Sequence, residues 1–97
     1  MHIIGCEIMK EVLERIQLYE YYLDELQNAL ALDLNLNTKK YQHYYQCLAS
    51  YLETLWVEDF QLDEKGCLPK DLKRGILSED TLYNLLAEID KKLKENA

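Results

Sequence analysis

The sequence predicts an all-α protein, a three-helix bundle made of a long antiparallel helical hairpin, an irregular loop and a shorter C-terminal helix. Apolar residues recur at alternating steps of three and four, which is the spacing of one helix face. There is no glycine or proline between Cys6 and Gln61, whereas two of the three glycines and the only proline lie between Gly66 and Gly75. With 97 residues and 48% hydrophobic content, residues 1–97 are expected to form a single all-helical domain.

The first helix is predicted to run from about Glu7 to Leu32. Leu13 and Tyr22 widen its apolar stripe beyond a strict coiled-coil seam, which favours packing into a bundle. Glu11 and Arg15 are four residues apart, and we assign both to the solvent side as a helical ion pair. The seam itself consists of Met9, Val12, Ile16, Tyr19, Leu23, Leu26 and Leu30.

The second helix is predicted to begin after a short connection over residues 31–38. Leucines alternate there with aspartate and asparagine, and either Asn37 or Thr38 is expected to cap the next helix. Because the connection is short, the two helices should be antiparallel neighbours. The predicted apolar face comprises Tyr41, Tyr44, Tyr45, Leu48, Tyr51, Leu52, Leu55 and Trp56.

An irregular loop is predicted from about Asp63 to Leu77, before a third helix. Gly66 marks a turn, and the residue before Pro69 is pushed towards extended backbone. Ser78 is a predicted N-cap, with two acids following it in the first turn. The apolar face of this helix comprises Leu82, Leu85, Leu86, Ile89 and Leu93.

The charge and the cysteines restrict the classes of partner. A net charge of -7 argues against nucleic acid and anionic membrane surfaces, since both repel an acidic protein. The excess is confined to residues 1–64, which carry twelve acids and four bases, whereas residues 65–97 carry six acids and seven bases. Three widely spaced cysteines, the absence of a recognisable secretory signal and the lack of a long apolar run predict a reduced, cytoplasmic protein.

The stretch from Trp56 to Leu86 resembles a known family. It contains Trp-x-x-Asp at Trp56 and Asp59, then Gly66, Leu68-Pro69, and the run Leu-Lys-Arg-Gly-Ile-Leu-Ser-Glu-Asp over residues 72–80. This pattern is similar to a bacterial family catalogued as domain of unknown function 4298. The resemblance implies a small, all-helical bacterial protein and supplies no catalytic residue. It singles out the block from Trp56 to Asp80, and the candidate partner-binding residues are Trp56, Asp59, Lys73, Arg74 and Tyr83.

Two metal-like patterns in the sequence are incomplete. Asp33-x-Asn35-x-Asn37 imitates the first half of a calcium loop, but the glycine and the glutamate of the second half are missing, and side-chain turns explain the asparagines. His43 and Cys47 are four residues apart on one helix face, but two ligands do not close a zinc site. We therefore predict no metal and no cofactor.

The carboxylates give no catalytic pair. Glu14, Glu20, Asp24 and Glu25 are expected on a solvated helix face, and no two acids stand apart in an apolar setting. The chain also lacks a glycine-rich phosphate loop and a nucleophile elbow, so we predict that it is not an enzyme.

The bases Lys70, Lys73 and Arg74 allow three interpretations. They could pair internally and hold the loop onto the hairpin, bind a partner, or receive an anion at the start of the third helix. The candidate internal partners are Glu58, Asp59, Asp63 and Glu64.

Seven of the eight tyrosines lie on the first two predicted helices. Tyrosine is suited to half-buried positions, so these residues either pack at the edge of the core or form a protein interface. The function predicted from sequence is a non-catalytic protein-protein interaction or structural protein, whose partner is another protein or a second copy of itself in a homodimer. The alternative is a small-ligand or metal-binding regulator.

Overall fold

A computed structural model describes residues 9–95, and within that range the protein is all-α without a β-strand. The start of the first predicted helix at Glu7, and Cys6 before it, lie outside the described residues. The helices are α1 (Met9–Ala31), α2 (Lys39–Thr54), α3 (Trp56–Glu64) and α4 (Glu79–Glu95), with a 3-10 turn at Gly75–Leu77.

The predicted seam of α1 forms the centre of the core. Val12, Ile16, Leu23 and Leu26 are at most 2% exposed, and Tyr19 and Leu30 are partly buried against them. The helix ends in a Schellman motif: the Leu34 N–H donates to the Ala29 carbonyl, while Asp33 takes a left-handed conformation at φ 54°. Aspartate tolerates this conformation better than most side chains, so the chain turns here without a glycine.

The tyrosines join α1 to α2. The rings of Tyr19 and Tyr51 stack with centroids 4.2 Å apart, and those of Tyr22 and Tyr44 stack at 4.6 Å. Tyr22 comes after Tyr19 in α1, and its partner Tyr44 comes before Tyr51 in α2. The two helices are therefore antiparallel, as predicted. The partial burial of Tyr19, Tyr22 and Tyr44 confirms the core-edge interpretation for these rings, whereas Tyr51 lies fully inside the core.

The second predicted helix is divided. Of the two predicted caps, Thr38 is the one that caps α2, its side-chain oxygen accepting the Tyr41 N–H at 3.3 Å. At Leu55 the backbone stays in the right-handed region, with φ −102° and ψ −13°, but α2 ends before it and α3 begins at Trp56. One continuous helical face was predicted through this point, because no glycine or proline marks the break.

The irregular loop lies where it was predicted. Gly66 takes a left-handed conformation at φ 76°, and the Cys67 N–H donates to the Leu62 carbonyl to close the end of α3. Ser78 caps α4, its Oγ accepting the Thr81 N–H at 3.4 Å.

Helix α4 runs in the same direction as α1. The loop before α4 lies near Glu20, and Lys92 near the end of α4 reaches Asp33 after α1, with Nζ 3.3 Å from Oδ1. Four predicted positions of its apolar face are buried and the fifth is partly buried: Leu82, Leu85, Leu86, Ile89 and Leu93.

None of the helices in residues 9–95 is both long enough and apolar enough to cross a membrane.

Candidate functional site: a clasp and the groove beside it

Asp59 is the most deeply buried charged residue of the block, with its side chain fully removed from solvent. Arg15 on α1 binds it with two nitrogens: Nε lies 3.0 Å from Oδ2, and Nη2 contacts Oδ1. The Tyr51 hydroxyl donates to Oδ2 at 2.6 Å. The hydrogen bond to Asp59 raises the pKa of Arg15, and burial raises the pKa of Tyr51. Three helices therefore meet at one carboxylate.

This arrangement corrects the assignment of Arg15. The sequence suggested a surface pair with Glu11, but the guanidinium turns inward and is only 24% exposed. A buried carboxylate without a partner destabilises the fold strongly, whereas a surface pair on a helix stabilises by only about 0.3–0.5 kcal/mol. Arg15 therefore pairs with the buried Asp59 and not with Glu11.

Ile76 in the 3-10 turn has both backbone polar groups satisfied by distant side chains. Its N–H donates to Glu20 Oε1 at 2.8 Å, and its carbonyl accepts the indole N–H of Trp56 at 2.9 Å. Glu20 was expected on a solvated face, and that expectation is wrong, since its residue is only 7% exposed. A buried backbone N–H needs an acceptor, and a carboxylate from α1 provides it.

Gly75 permits this close approach. A Cβ at this position would lie 2.9 Å from Glu20 Oε2 and 3.2 Å from Leu23 Cδ2. We call the set Arg15, Glu20, Trp56, Asp59 and Ile76 the clasp, because it ties α1, α3 and the loop together.

The basic residues of the loop divide between two partners. Arg74 pairs with Asp63 at 2.8 Å and also donates to the carbonyls of Pro69, Lys70 and Leu72, so it folds the loop onto α3. Internal pairing is thus confirmed for Arg74.

Lys73 departs from the predicted set of acids. Its Nζ lies 2.8 Å from Oδ2 of Asp24 on α1, and its side chain is 70% exposed.

The five candidate partner-binding residues do not form one site. Trp56, Asp59 and Arg74 are occupied by contacts inside the protein. Lys73 is exposed at the edge of the loop, and Tyr83 on α4 is 64% exposed. Most of the distinctive side chains in the block therefore hold the structure together.

Beside the clasp, α1 and the loop enclose a groove of about 390 Å³. Its apolar lining is Leu13, Tyr21, Pro69 and Leu72. Its polar lining is Gln17, Glu20, Asp24, Asp71 and Lys73. We refer to this set as the groove. It places an aromatic ring that is half exposed next to three carboxylates and one ammonium group.

The metal-like patterns remain incomplete in three dimensions. Cys47 Sγ lies 3.6 Å from His43 Nε2 on an exposed face, and residues 9–95 contain no group of three or more side chains placed to hold a metal ion. In the other pattern, Asn35 Oδ1 accepts the Asn37 N–H at 2.9 Å, which is a local side-chain turn.

Comparison with known proteins supplies the family. The model of the family described as Domain of unknown function (DUF4298) matches residues 7–96. The chain belongs to this family. No curated protein and no solved structure matches the chain. For this DUF4298 member the match extends beyond the C-terminal pattern and includes α1 and α2.

Sequence reasoning about this DUF4298 protein missed Arg15 and Glu20. Both flank the heptad seam: Arg15 directly precedes Ile16, and Glu20 directly follows Tyr19. This position was the one sequence signal for burial, since a charged side chain at the border of an apolar stripe can point either to solvent or to the core. The partner of Arg15 is Asp59, 44 residues away in sequence, and the partner of Glu20 is the Ile76 N–H, 56 residues away.

Proposed function

We propose that this DUF4298 protein is a non-catalytic, cytoplasmic interaction protein that binds a protein partner in the groove. The observation that carries the proposal is the contrast between the clasp and the groove. Trp56, Asp59 and Arg74 form hydrogen bonds inside the protein. The groove instead offers Tyr21, which is 50% exposed, together with Leu72 and Pro69. Tyrosine and apolar groups bordered by charge are typical of protein interfaces.

Charge supports a protein partner over other macromolecules. The chain carries a net charge of -7, and three carboxylates line the groove against one lysine. A phosphate backbone would be repelled by this surface. A basic or amphipathic protein surface would be attracted to it.

Photo-crosslinking in the bacterial cell tests the proposal. We would introduce p-benzoylphenylalanine at Gln17, which is exposed and lines the groove, and in a control variant at Ala87, which is exposed on α4 away from the groove. The expected result is a discrete protein adduct from position 17 and none from position 87, with its composition read by mass spectrometry. Equal adducts at both positions, or none at either, would overturn the proposal.

Self-association is one form of the same proposal. Leu18, next to Gln17 in sequence, is 48% exposed and could join a surface buried against a second copy. An adduct of twice the chain mass, together with a concentration-dependent dimer in sedimentation equilibrium, would identify the partner as the protein itself.

The groove also supports a second candidate, a small-ligand regulator. Its volume of about 390 Å³ lies in the range of small-molecule sites, which is roughly 300–1,000 Å³. Native mass spectrometry of the purified protein distinguishes this candidate: a retained metabolite lost on Gln17→Trp would support it, and a bare mass would count against tight binding.

A further inference from the structure

The groove carries an excess of negative charge at one edge of an apolar surface. Glu20, Asp24 and Asp71 line it, and Lys73 is the only base among its lining residues. Opposite charge is therefore favoured in a ligand, and like charge is disfavoured.

Glu20 adds a buried negative charge to this lining. It is 7% exposed, its Oε1 accepts the Ile76 N–H, and its Oε2 lies against Gly75. Its charge adds to the attraction of the groove for a cation without a direct contact.

Lys73 already places a cation at this position. Its ammonium group binds Asp24 Oδ2 at 2.8 Å, and this hydrogen bond, followed by the charges of Asp24 and Glu20, raises the pKa of Lys73. Because the lysine side chain is 70% exposed and the pair is screened by water, a ligand can displace it at little cost.

The apolar lining selects the type of cation. Tyr21 is half exposed and lines the groove, so its ring offers aromatic surface to a planar guanidinium, and Leu72 and Leu13 can contact an aliphatic stem or an apolar neighbour. A guanidinium also binds one carboxylate through two N–H groups, which a point charge such as lysine does less well.

We propose that the groove binds an arginine side chain, followed or preceded by an apolar residue, on the partner protein, and that Lys73 competes with this arginine for Asp24. The inference rests on the proposed function and names the chemistry of the partner. Asp24 is the acceptor, the charges of Glu20 and Asp71 add to the attraction, and Lys73 lowers the affinity for arginine until it is displaced.

A titration followed by ¹⁵N NMR tests the site directly. The probe is the capped tripeptide acetyl-Leu-Arg-Leu-amide, and the matched control replaces arginine with citrulline, which has nearly the same shape without the charge. We expect the arginine peptide to shift the amide signals around Tyr21, Asp24 and Leu72 in a saturable way, with at least tenfold weaker binding of the citrulline peptide. Equal binding of the two peptides, or no saturable shifts at these residues, would overturn the inference.

Two substitutions test the competition. Lys73→Gln should tighten binding about threefold, because it removes the internal competitor. Asp24→Asn should weaken binding about tenfold, because it removes a charged acceptor. In the Lys73→Gln, Asp24→Asn double variant the gain from Lys73→Gln should vanish, since both cations use the same carboxylate.

The matched control is the Lys94–Asp90 pair on α4, which has a similar distance of 3.0 Å and similar exposure. Lys94→Gln should leave peptide affinity unchanged, and an equal gain from Lys94→Gln and Lys73→Gln would reduce the effect to net charge and overturn the competition. The two proposals fail separately. Position-specific crosslinks at Gln17 without arginine selectivity would refute only the arginine assignment, whereas peptide binding without any protein adduct in the cell would refute the proposed function.

Discussion

The clasp and the tyrosine-lined hairpin both join elements of this protein, but they do so by different physical means. The clasp uses directional hydrogen bonds between buried polar groups, such as Trp56 to Ile76 and Ile76 to Glu20. The hairpin uses a row of stacked rings at the edge of the core, in which Tyr22 and Tyr44 remain partly exposed. Removing one partner from the clasp leaves a buried polar group without a hydrogen bond. Removing one hydroxyl from the row of tyrosines leaves the ring contacts intact.

The difference predicts an uneven sensitivity to mutation. Substitutions in the clasp should be costly even when they are small. Substitutions of exposed hydroxyls in the tyrosine row should be cheap.

Asp59→Ala should lower the free energy of unfolding by about 3–5 kcal/mol, because Arg15 and the Tyr51 hydroxyl lose their buried partner. Urea denaturation monitored by circular dichroism measures this. The matched control is Asp63→Ala on the same helix, which breaks a pair whose side chains are 32% and 26% exposed and should cost about 1 kcal/mol or less. Equal losses in the two variants would contradict the role assigned to burial.

Gly75→Ala should lower the free energy of unfolding by about 1–3 kcal/mol, because the new methyl group would lie 2.9 Å from Glu20 Oε2. Gly66→Ala is the comparison: no atom lies within 4 Å of its added Cβ, so only the left-handed backbone at φ 76° opposes it, at about 1 kcal/mol. Thermal denaturation of both variants ranks them. A Gly75 variant as stable as the wild type would show that the clasp has room that the structure does not indicate.

Ser78→Ala should cost about 1 kcal/mol, because the Thr81 N–H loses its acceptor at the start of α4. Hydrogen exchange should quicken in the first turn of α4 and stay unchanged in α2. Thr38→Ala serves as the reciprocal control, since it removes the corresponding acceptor from the Tyr41 N–H at the start of α2. Exchange that changes in neither helix would show that these caps add little.

Tyr44→Phe should leave stability at neutral pH nearly unchanged and alter its dependence on alkaline pH. Hydrogen bonding with Tyr21, helped by desolvation, raises the pKa of Tyr44 to about 12 from an ordinary value of 10.0. Because the folded state holds the Tyr44 proton more tightly than the unfolded state does, ionisation opposes folding, and stability falls as the pH rises from 10 to 12. The variant should therefore lose stability less steeply over that interval.

Urea midpoints measured at a series of pH values test this expectation. Tyr83→Phe is the control, since it removes a hydroxyl from a ring that is 64% exposed on α4. A Tyr44 variant with the same alkaline profile as the wild type would contradict the raised pKa of Tyr44.

The helices could be predicted from the sequence because their signals are local. The seam of α1, the Thr38 and Ser78 caps and the apolar face of α4 all follow from spacing within one or two helical turns. The break at Leu55 could not be predicted, because no glycine or proline produces it. Trp56 directly follows the break and donates to the Ile76 carbonyl, and Asp59, three residues later, accepts from Arg15.

The candidate site was only partly predictable for the same reason. The sequence indicated the block from Trp56 to Asp80 and included Lys73, which lies in the groove. It did not reveal that α1 supplies Leu13, Tyr21 and Asp24 to the opposite wall, since a groove between two distant segments has no local pattern.

The sequence by itself determined an all-α chain with a seam on α1, a capped second helix, a glycine- and proline-containing loop and a capped last helix, because these depend on neighbours along the chain. Tertiary structure decided which charged residues are buried and which line a surface. Arg15 turns inward because it pairs with the buried carboxylate of Asp59, and Glu20 turns inward because it accepts the buried Ile76 N–H. Asp24 lines the groove, where it pairs with Lys73 on the exposed loop. All three residues are charged, and the partners available in the folded protein decide which of them are buried.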